Sequence, residues 1–276
     1  MQVLGLCRFS YPALGGFQRE HQTRGERQAF LYDTSRLIHR FRLFESLCLP
    51  SITSQTDRDF TFLILTGDDL PAWALDRLHG LVDDYPFIQV ILEPPQDHRV
   101  IASRVINEYR RWAKPLCAQF RLDDDDAVHT DFVRRLKEKA MNTAPLFPND
   151  RKFVIDFSRG YAAQFTAQTI LLSSVEKPFW TTALAAVFRK GSDKTIMSYS
   201  HHKLGQRMPW VNDTSEPMFI RSFHHDNDSA ARGAHSALEP ETIPIEQIPD
   251  VIKNFGTTVD KIKQIWTDDY AIVPAS

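Results

Sequence analysis

The chain has little cysteine and no long apolar run. Its three cysteines, Cys7, Cys48 and Cys117, are scattered over 276 residues and form no C-x-x-C pair. That excludes a zinc knuckle and a disulfide framework, and it predicts reduced, buried thiols. No stretch approaches the about 18 apolar residues of a membrane span. Arg8 interrupts the first apolar run, so no signal-peptide core forms. Cytoplasmic placement is the default expectation, with peripheral attachment at the inner membrane as the alternative. Neither sign of charge dominates. The net charge of −2 gives no global electrostatic case for nucleic acid as a partner. Three motifs are also missing: a P-loop, the G-x-G-x-x-G dinucleotide fingerprint and a G-x-S-x-G nucleophile elbow.

What remains is an ordinary globular composition, 42% hydrophobic and 25% charged. The length suits a single domain over residues 1–276. Charge is uneven near the start, where Arg8, Arg19, Arg24, Arg27, Arg36, Arg40 and Arg42 face only Glu20, Glu26 and Asp33. Two readings stay open for these arginines: a solvated helix face, or one or two side chains that face a diphosphate.

Periodicity predicts alternating strands and helices over the first half. Gln2–Cys7, Phe60–Leu65, Phe87–Leu92 and Ala118–Leu122 read as buried strands. Between them, Leu37, Phe41, Phe44 and Cys48 share one helical face, with Asp33, Thr34 or Ser35 as cap and Pro50 as stop. Leu75, Leu78 and Val82 mark a second helix, opened by Pro71. Ile101, Val105, Tyr109 and Trp112 mark a third. The segment from Ser10 to Thr23, with Gly15-Gly16, reads as loop. Such alternation implies an α/β fold with a doubly wound, mostly parallel sheet. The second half is less regular. A helix over Phe132–Ala140, strands near Phe153–Phe157 and Gln168–Leu172, and two short helices near Ile245–Phe255 and Val259–Trp266 enclose an irregular stretch, 190–235.

One run stands out, Asp123-Asp124-Asp125-Asp126, directly after the fourth strand. Four adjacent carboxylates repel one another, and burial raises that cost unless water or a cation neutralises them. The carboxyl ends of parallel strands are also where open α/β sheets bind ligands. Hard cations such as Mg²⁺ and Mn²⁺ prefer carboxylate oxygens and keep room for substrate phosphates. The overlapping Asp-x-Asp pairs are Asp123/Asp125 and Asp124/Asp126; the alternative is an acidic loop with helix-capping aspartates. The histidine pairs His201-His202 and His224-His225 could supply a neutral imidazole ligand. Asp68-Asp69, after the second strand, would reach the same rim, either as a ligand contact or as a turn and helix cap.

Three segments taken in order resemble a known family: Arg40–Asp69 (RFRLFESLCLPSITSQTDRDFTFLILTGDD), Phe120–Val133 (FRLDDDDAVHTDFV) and Glu216–Asn227 (EPMFIRSFHHDN). They resemble GT-A nucleotide-sugar glycosyltransferases, and more narrowly the bacterial rhamnosyltransferase group. The chain departs from that pattern at Phe219, where tryptophan is common, and at His225-Asp226, where glycines are common.

The resemblance implies a GT-A-like fold. Residues 1–135 would form the nucleotide-sugar-binding half, and 136–276 an irregular acceptor-side half with the C-terminal helices. It implies transfer of a sugar, of the hexosyl type, from a UDP-, GDP- or dTDP-sugar to a glycan or small hydroxyl acceptor. It implies Mn²⁺ or Mg²⁺ on Asp125, with Asp123 towards the ribose or metal-bound water, Asp126 as a further ligand and His224 completing the set. Arg8 and Asp68 would border the nucleotide, and Arg104 would reach the diphosphate. An inverting enzyme would also need a carboxylate base, for which Asp156, Asp213, Glu216 and Asp226 are the candidates. Two other classes stay open: a metal-dependent nucleotidyltransferase, and a non-catalytic, cation-dependent carbohydrate-binding protein.

Overall fold

A computed structural model describes residues 1–14, 23–166, 169–224 and 242–267. The strand–helix alternation of the first half forms as the periodicity predicts. Strands β1 (Gln2–Arg8), β2 (Thr61–Gly67), β3 (Ile88–Glu93) and β4 (Leu116–Arg121) are mutually parallel. After the short β5 (Ala127–Val128), the chain forms β6 (Lys152–Phe157), β7 (Arg159–Phe165), β8 (Ile170–Glu176), β9 (Leu184–Arg189), β10 (Trp210–Asp213), β11 (Phe219–Phe223) and β12 (Ile243–Pro244). The main sheet has the order β10-β6-β9-β4-β1-β2-β3, in which β9 alone runs antiparallel to both its neighbours.

Helices cover both faces of this sheet. The helices α1 (Arg24–Leu31), α2 (Thr34–Leu43), α3 (Leu49–Thr53), α4 (Ala72–Val82), α5 (His98–Glu108) and α6 (Phe132–Thr143) follow in chain order. Side chains alternate across each strand. Val3, Cys7, Ala118 and Phe120 therefore pack on one face, with Leu37 and Phe41 of α2, Leu78 of α4 and Leu136 of α6. Leu4, Leu6 and Cys117 pack on the other, with Ile101, Ala102 and Val105 of α5. Gly5 lies between the rings of Phe62 and Phe120, where an added Cβ would come within 2.4 Å of Phe120. All three cysteines are buried and unbridged, as their spacing predicts.

Two expectations are corrected. Pro50 does not stop the helix that carries Leu37 and Phe41. The chain runs from α2 through a π-helical turn, Phe44–Cys48, into α3, with Pro50 in the first turn of α3. Leu49 donates its N–H to the Phe44 carbonyl five residues back. The wider turn accommodates the ring and the N–H that proline lacks. The second half is also more ordered than its weak periodicity suggests. It builds a second sheet, β12-β8-β7-β11-β5, entered from β6 through Ser158 alone. Short strands with one polar face carry little pattern, and β7 was not legible among its polar neighbours. The pair Gly15-Gly16 lies outside the described residues. No helix among the described residues is long and apolar enough to cross a membrane.

Candidate active site

The acidic run leaves the carboxyl end of β4 and turns at once, with the Asp126 N–H donating to the Asp123 carbonyl at 3.1 Å. The turn ends the alternation of β4, so neighbouring carboxylates share partners: Asp124 and Asp125 both reach Arg40. Asp124, Asp125 and Asp126 are buried, and Asp123 is partly exposed. Asp123, Asp125 and Asp126 each offer an oxygen within 4.8 Å of the others.

Most of these carboxylates already have protein partners. Arg40, buried on α2, donates from Nε to Asp124 at 3.0 Å and forms an ion pair with it through Nη2. The same guanidinium donates to Asp125 at 3.3 Å. His224, just after β11, places Nε2 at 2.8 Å from the same Asp125 oxygen. Burial opposes ionisation of Asp125, but Arg40 and the His224 hydrogen bond outweigh it and hold the carboxyl well below the ordinary range. Asp126 accepts from the Thr182 hydroxyl at 2.6 Å and from the Ser222 N–H at 2.9 Å. Burial and the neighbouring Asp125 nevertheless push its pKa well up. A divalent cation among the three oxygens would reverse that shift, so the donor set suits a hard cation. The Asp123 side chain makes no hydrogen bond or ion pair among the described residues.

The other predicted residues are placed unevenly. Arg8 ends β1, on the α5 face, with Nη1 at 3.4 Å from His98 Nδ1. Asp68 is exposed in the turn after β2. Its neighbour Asp69 accepts from the Tyr32 hydroxyl at 2.7 Å. Arg104 is engaged by Glu93 at 2.6 Å and by Glu108 at 2.7 Å.

Among the candidate bases, Asp213 is tied to Lys139 at 2.7 Å; burial opposes its ionisation, yet Lys139 and Ser215 bring its pKa to about 2. Glu216 is paired with Arg135. Asp226 lies outside the described residues, as do His225 and Asn227. Asp156, at the carboxyl end of β6, is 1% exposed. One of its oxygens accepts from the Phe179 N–H at 2.8 Å. The other, Oδ1, has no partner among the described residues. Burial pushes its pKa up to about 6 against that one hydrogen bond.

Two features escaped the sequence. One is Arg40 as the resident counter-charge of the run: of the two readings open for the N-terminal arginines, neither describes it. The second is the segment 177–183, which reaches Asp126 through Thr182 and Asp156 through Phe179. Phe179 and Ala183 hold positive φ angles of 60° and 58°. Two non-glycine residues in that region, so close together, store backbone strain beside the site.

Comparison with known proteins follows this geometry. Residues 1–349 of S. aureus TarS, in complex with UDP, align with 81% of this chain at 8% identity and a TM-score of 0.43. The chain spans 61% of that TarS fragment. A 4-diphosphocytidyl-2C-methyl-D-erythritol synthase from Anaerococcus prevotii aligns with 76% of this chain and 86% of its own, at 9% identity and a TM-score of 0.34. No curated protein matches. The family model described as "Putative rhamnosyl transferase" matches residues 2–236. The chain therefore belongs to this rhamnosyl transferase family.

Proposed function

We propose that the chain is a metal-dependent glycosyltransferase that moves a sugar from a nucleotide-sugar donor to a hydroxyl acceptor. The observation that carries this reading is the convergence of Asp123, Asp125 and Asp126 within 4.8 Å at the end of a parallel strand. Family membership points to rhamnose as the sugar. Bound there, Mn²⁺ or Mg²⁺ would offset the negative charge that builds on the departing diphosphate.

The protein's own groups divide the remaining work. Arg40 and His224 hold Asp125 ionised and in place. Thr182 and the Ser222 N–H orient Asp126. Asp156 lies at the same rim, two strands from β4 and so about 10 Å away at the usual strand spacing. With Oδ1 unpartnered, it serves as general base. The acceptor O–H bond breaks and its proton goes to Oδ1. The acceptor oxygen forms the new bond at the anomeric carbon, and the old C–O electron pair leaves with the diphosphate. Asp156 is buried, so the acceptor reaches Oδ1 when segment 177–183, tied to the other oxygen through the Phe179 N–H, shifts.

The test is release of nucleoside diphosphate from UDP-, GDP- and dTDP-sugars, including the rhamnose donors, with Mn²⁺ or Mg²⁺. Water suffices as a slow acceptor. Metal-dependent consumption of one donor is expected. If none is consumed with either metal, the transferase reading falls.

A further inference from the structure

We propose that Trp210 and Asn212 of β10 form a platform for a sugar ring, so that the acceptor is a carbohydrate rather than a small linear alcohol. The inference rests on the transferase reading, with Asp156 as its base.

β10 is the edge strand of the main sheet and runs parallel to β6. Its register sets Trp210 beside Val154 and Asn212 beside Asp156. Paired residues of neighbouring strands share a face of the sheet, and successive residues alternate between faces. Phe153, Ile155 and Phe157 of β6 pack into the core under α2 and α6, with Val211 of β10 against it. Val154 packs on the other face, with Leu184, Leu204 and Met208. Trp210, Asn212 and Asp156 therefore stand together on that second face.

All three keep polar atoms unspent. Trp210 is 40% exposed, and its indole N–H makes no hydrogen bond among the described residues. Asn212 is exposed, and its side-chain amide is likewise unengaged among the described residues. Asp156 Oδ1 is the third such atom. Trp112, Met141 and Leu146 are exposed as well, and a single apolar side chain at the surface needs no ligand. Trp210 differs because a planar amide and a carboxylate share its face. At about 3.3 Å per residue, it precedes the Asn212–Asp156 pair by about 7 Å along the strand. A sugar ring has an apolar C–H face and a hydroxyl edge. The flat indole suits the first; the amide and the carboxylate suit the second. A linear alcohol would leave the indole unused.

Phe179 sets the orientation of this platform. Its ring lies 4.8 Å from that of Trp210, tilted by 60°. On its other side is Gly205, in the 3₁₀ segment His201–Gln206, where an added Cβ would come within 2.5 Å of Phe179 Cζ. The ring is thus wedged between that segment and the indole. The Phe179 N–H also holds Asp156. A sugar that settles on Trp210 therefore arrives beside the segment whose shift opens Oδ1.

The chain's five tryptophans give five indole N–H resonances, and Trp210→Phe assigns one of them. Titration of the ¹⁵N-labelled native chain with methyl glycosides of L-rhamnose, D-glucose, D-galactose and N-acetyl-D-glucosamine is the test. At least one glycoside should shift the Trp210 resonance saturably, with that of Trp112 unmoved. Glycerol, which has hydroxyls but no ring, should shift neither. If no glycoside moves Trp210, or glycerol moves it equally, the proposal is overturned. It also falls if the resonance moves with protein concentration alone, since a second copy would then cover this face.

Transfer to the glycoside with the largest shift gives a second readout. Trp210→Ala should raise the KM for that acceptor about tenfold or more, and Asn212→Ala several-fold. Trp210→Phe should recover most of the loss, and Trp112→Ala should change nothing. A merely structural role would lower kcat and stability and leave the acceptor KM in place; an unchanged KM in Trp210→Ala overturns the platform. If Trp210→Ala fails to fold, the native-chain titration and Asn212→Ala carry the decision. A chain that binds glycosides at Trp210 yet consumes no donor sugar with metal would lose the transferase reading and keep the platform. A transferase whose Trp210 resonance stays silent would lose the platform alone.

Discussion

Arg40 and Asp124 stand 84 positions apart in sequence, yet Nε of one donates to Oδ2 of the other at 3.0 Å. This contact divides the acidic run by role. Asp124 is neutralised from α2 and braces the turn, while Asp123, Asp125 and Asp126 remain convergent. Removing one partner of a buried ion pair leaves the other charge uncompensated, at about 3–5 kcal/mol.

Arg40→Met is therefore expected to lose about 3–5 kcal/mol in urea unfolding. Its acid limb should change as well. Asp125 has a folded pKa below its unfolded value, so its stabilisation is present above about pH 4 and lost as pH falls further. With Arg40 gone, that loss should become shallower. An unchanged midpoint and acid limb in Arg40→Met would remove Arg40 from its bracing role.

The parallel half of the fold was legible in sequence because β1, β2 and β4 are buried on both faces and its helices have apolar stripes. Leu37, Phe41 and Phe44 point into one core as their spacing predicts. The π turn before Pro50 was not legible, since no local pattern distinguishes it from a helix stop. At the site, the carboxylates and His224 announced themselves through charge and position. Arg40 did not: an isolated arginine reads as surface until the fold shows what faces it. The same holds for Thr182, which matters only because the β8–β9 segment brings its hydroxyl to Asp126.

The division within the run gives a metal test that does not depend on activity. Mn²⁺ should raise the melting temperature of the native chain. Asp123→Asn and Asp125→Asn should lose that rise, and with it the metal-dependent share of donor affinity. Asp124→Asn should melt lower but keep the Mn²⁺ response, because its partner is Arg40. A response abolished equally by all three changes would contradict the separation of roles.

Asp156 gives a pH signature. Its folded pKa, about 6, lies above its unfolded value of 3.8. A raised acid favours folding at low pH, and that advantage is lost as pH rises from about 4 through about 6. The two-unit shift corresponds to about 3 kcal/mol at most. Asp156→Asn should be more stable than the native chain at pH 8, and the gain should vanish near pH 4. Its carbonyl oxygen can still accept from Phe179. Transfer should fall by a factor of about 10² or more while the Mn²⁺ response holds. In the native enzyme, kcat/KM should rise with an apparent pKa near 6. If Asp156→Asn keeps transfer, the base lies elsewhere.

Gly5 tests whether the rim depends on the packing beneath it. It sits in β1 at a point where a new Cβ would lie 2.4 Å from Phe120 and 2.6 Å from Phe62. Those rings are themselves stacked, with centroids 6.2 Å apart. Phe120 cannot retreat without disturbing Phe132, which meets it at 5.0 Å from α6. Gly5→Ala should cost about 1–3 kcal/mol through overpacking. Because β1 pairs with β4 up to Arg121, directly before the acidic run, a displaced strand should shift the carboxylates. The rise in melting temperature with Mn²⁺ should then shrink along with stability, although Gly5 is not among the convergent carboxylates. A variant that unfolds at lower urea but keeps the full Mn²⁺ response would show that the rim tolerates movement of the sheet below it.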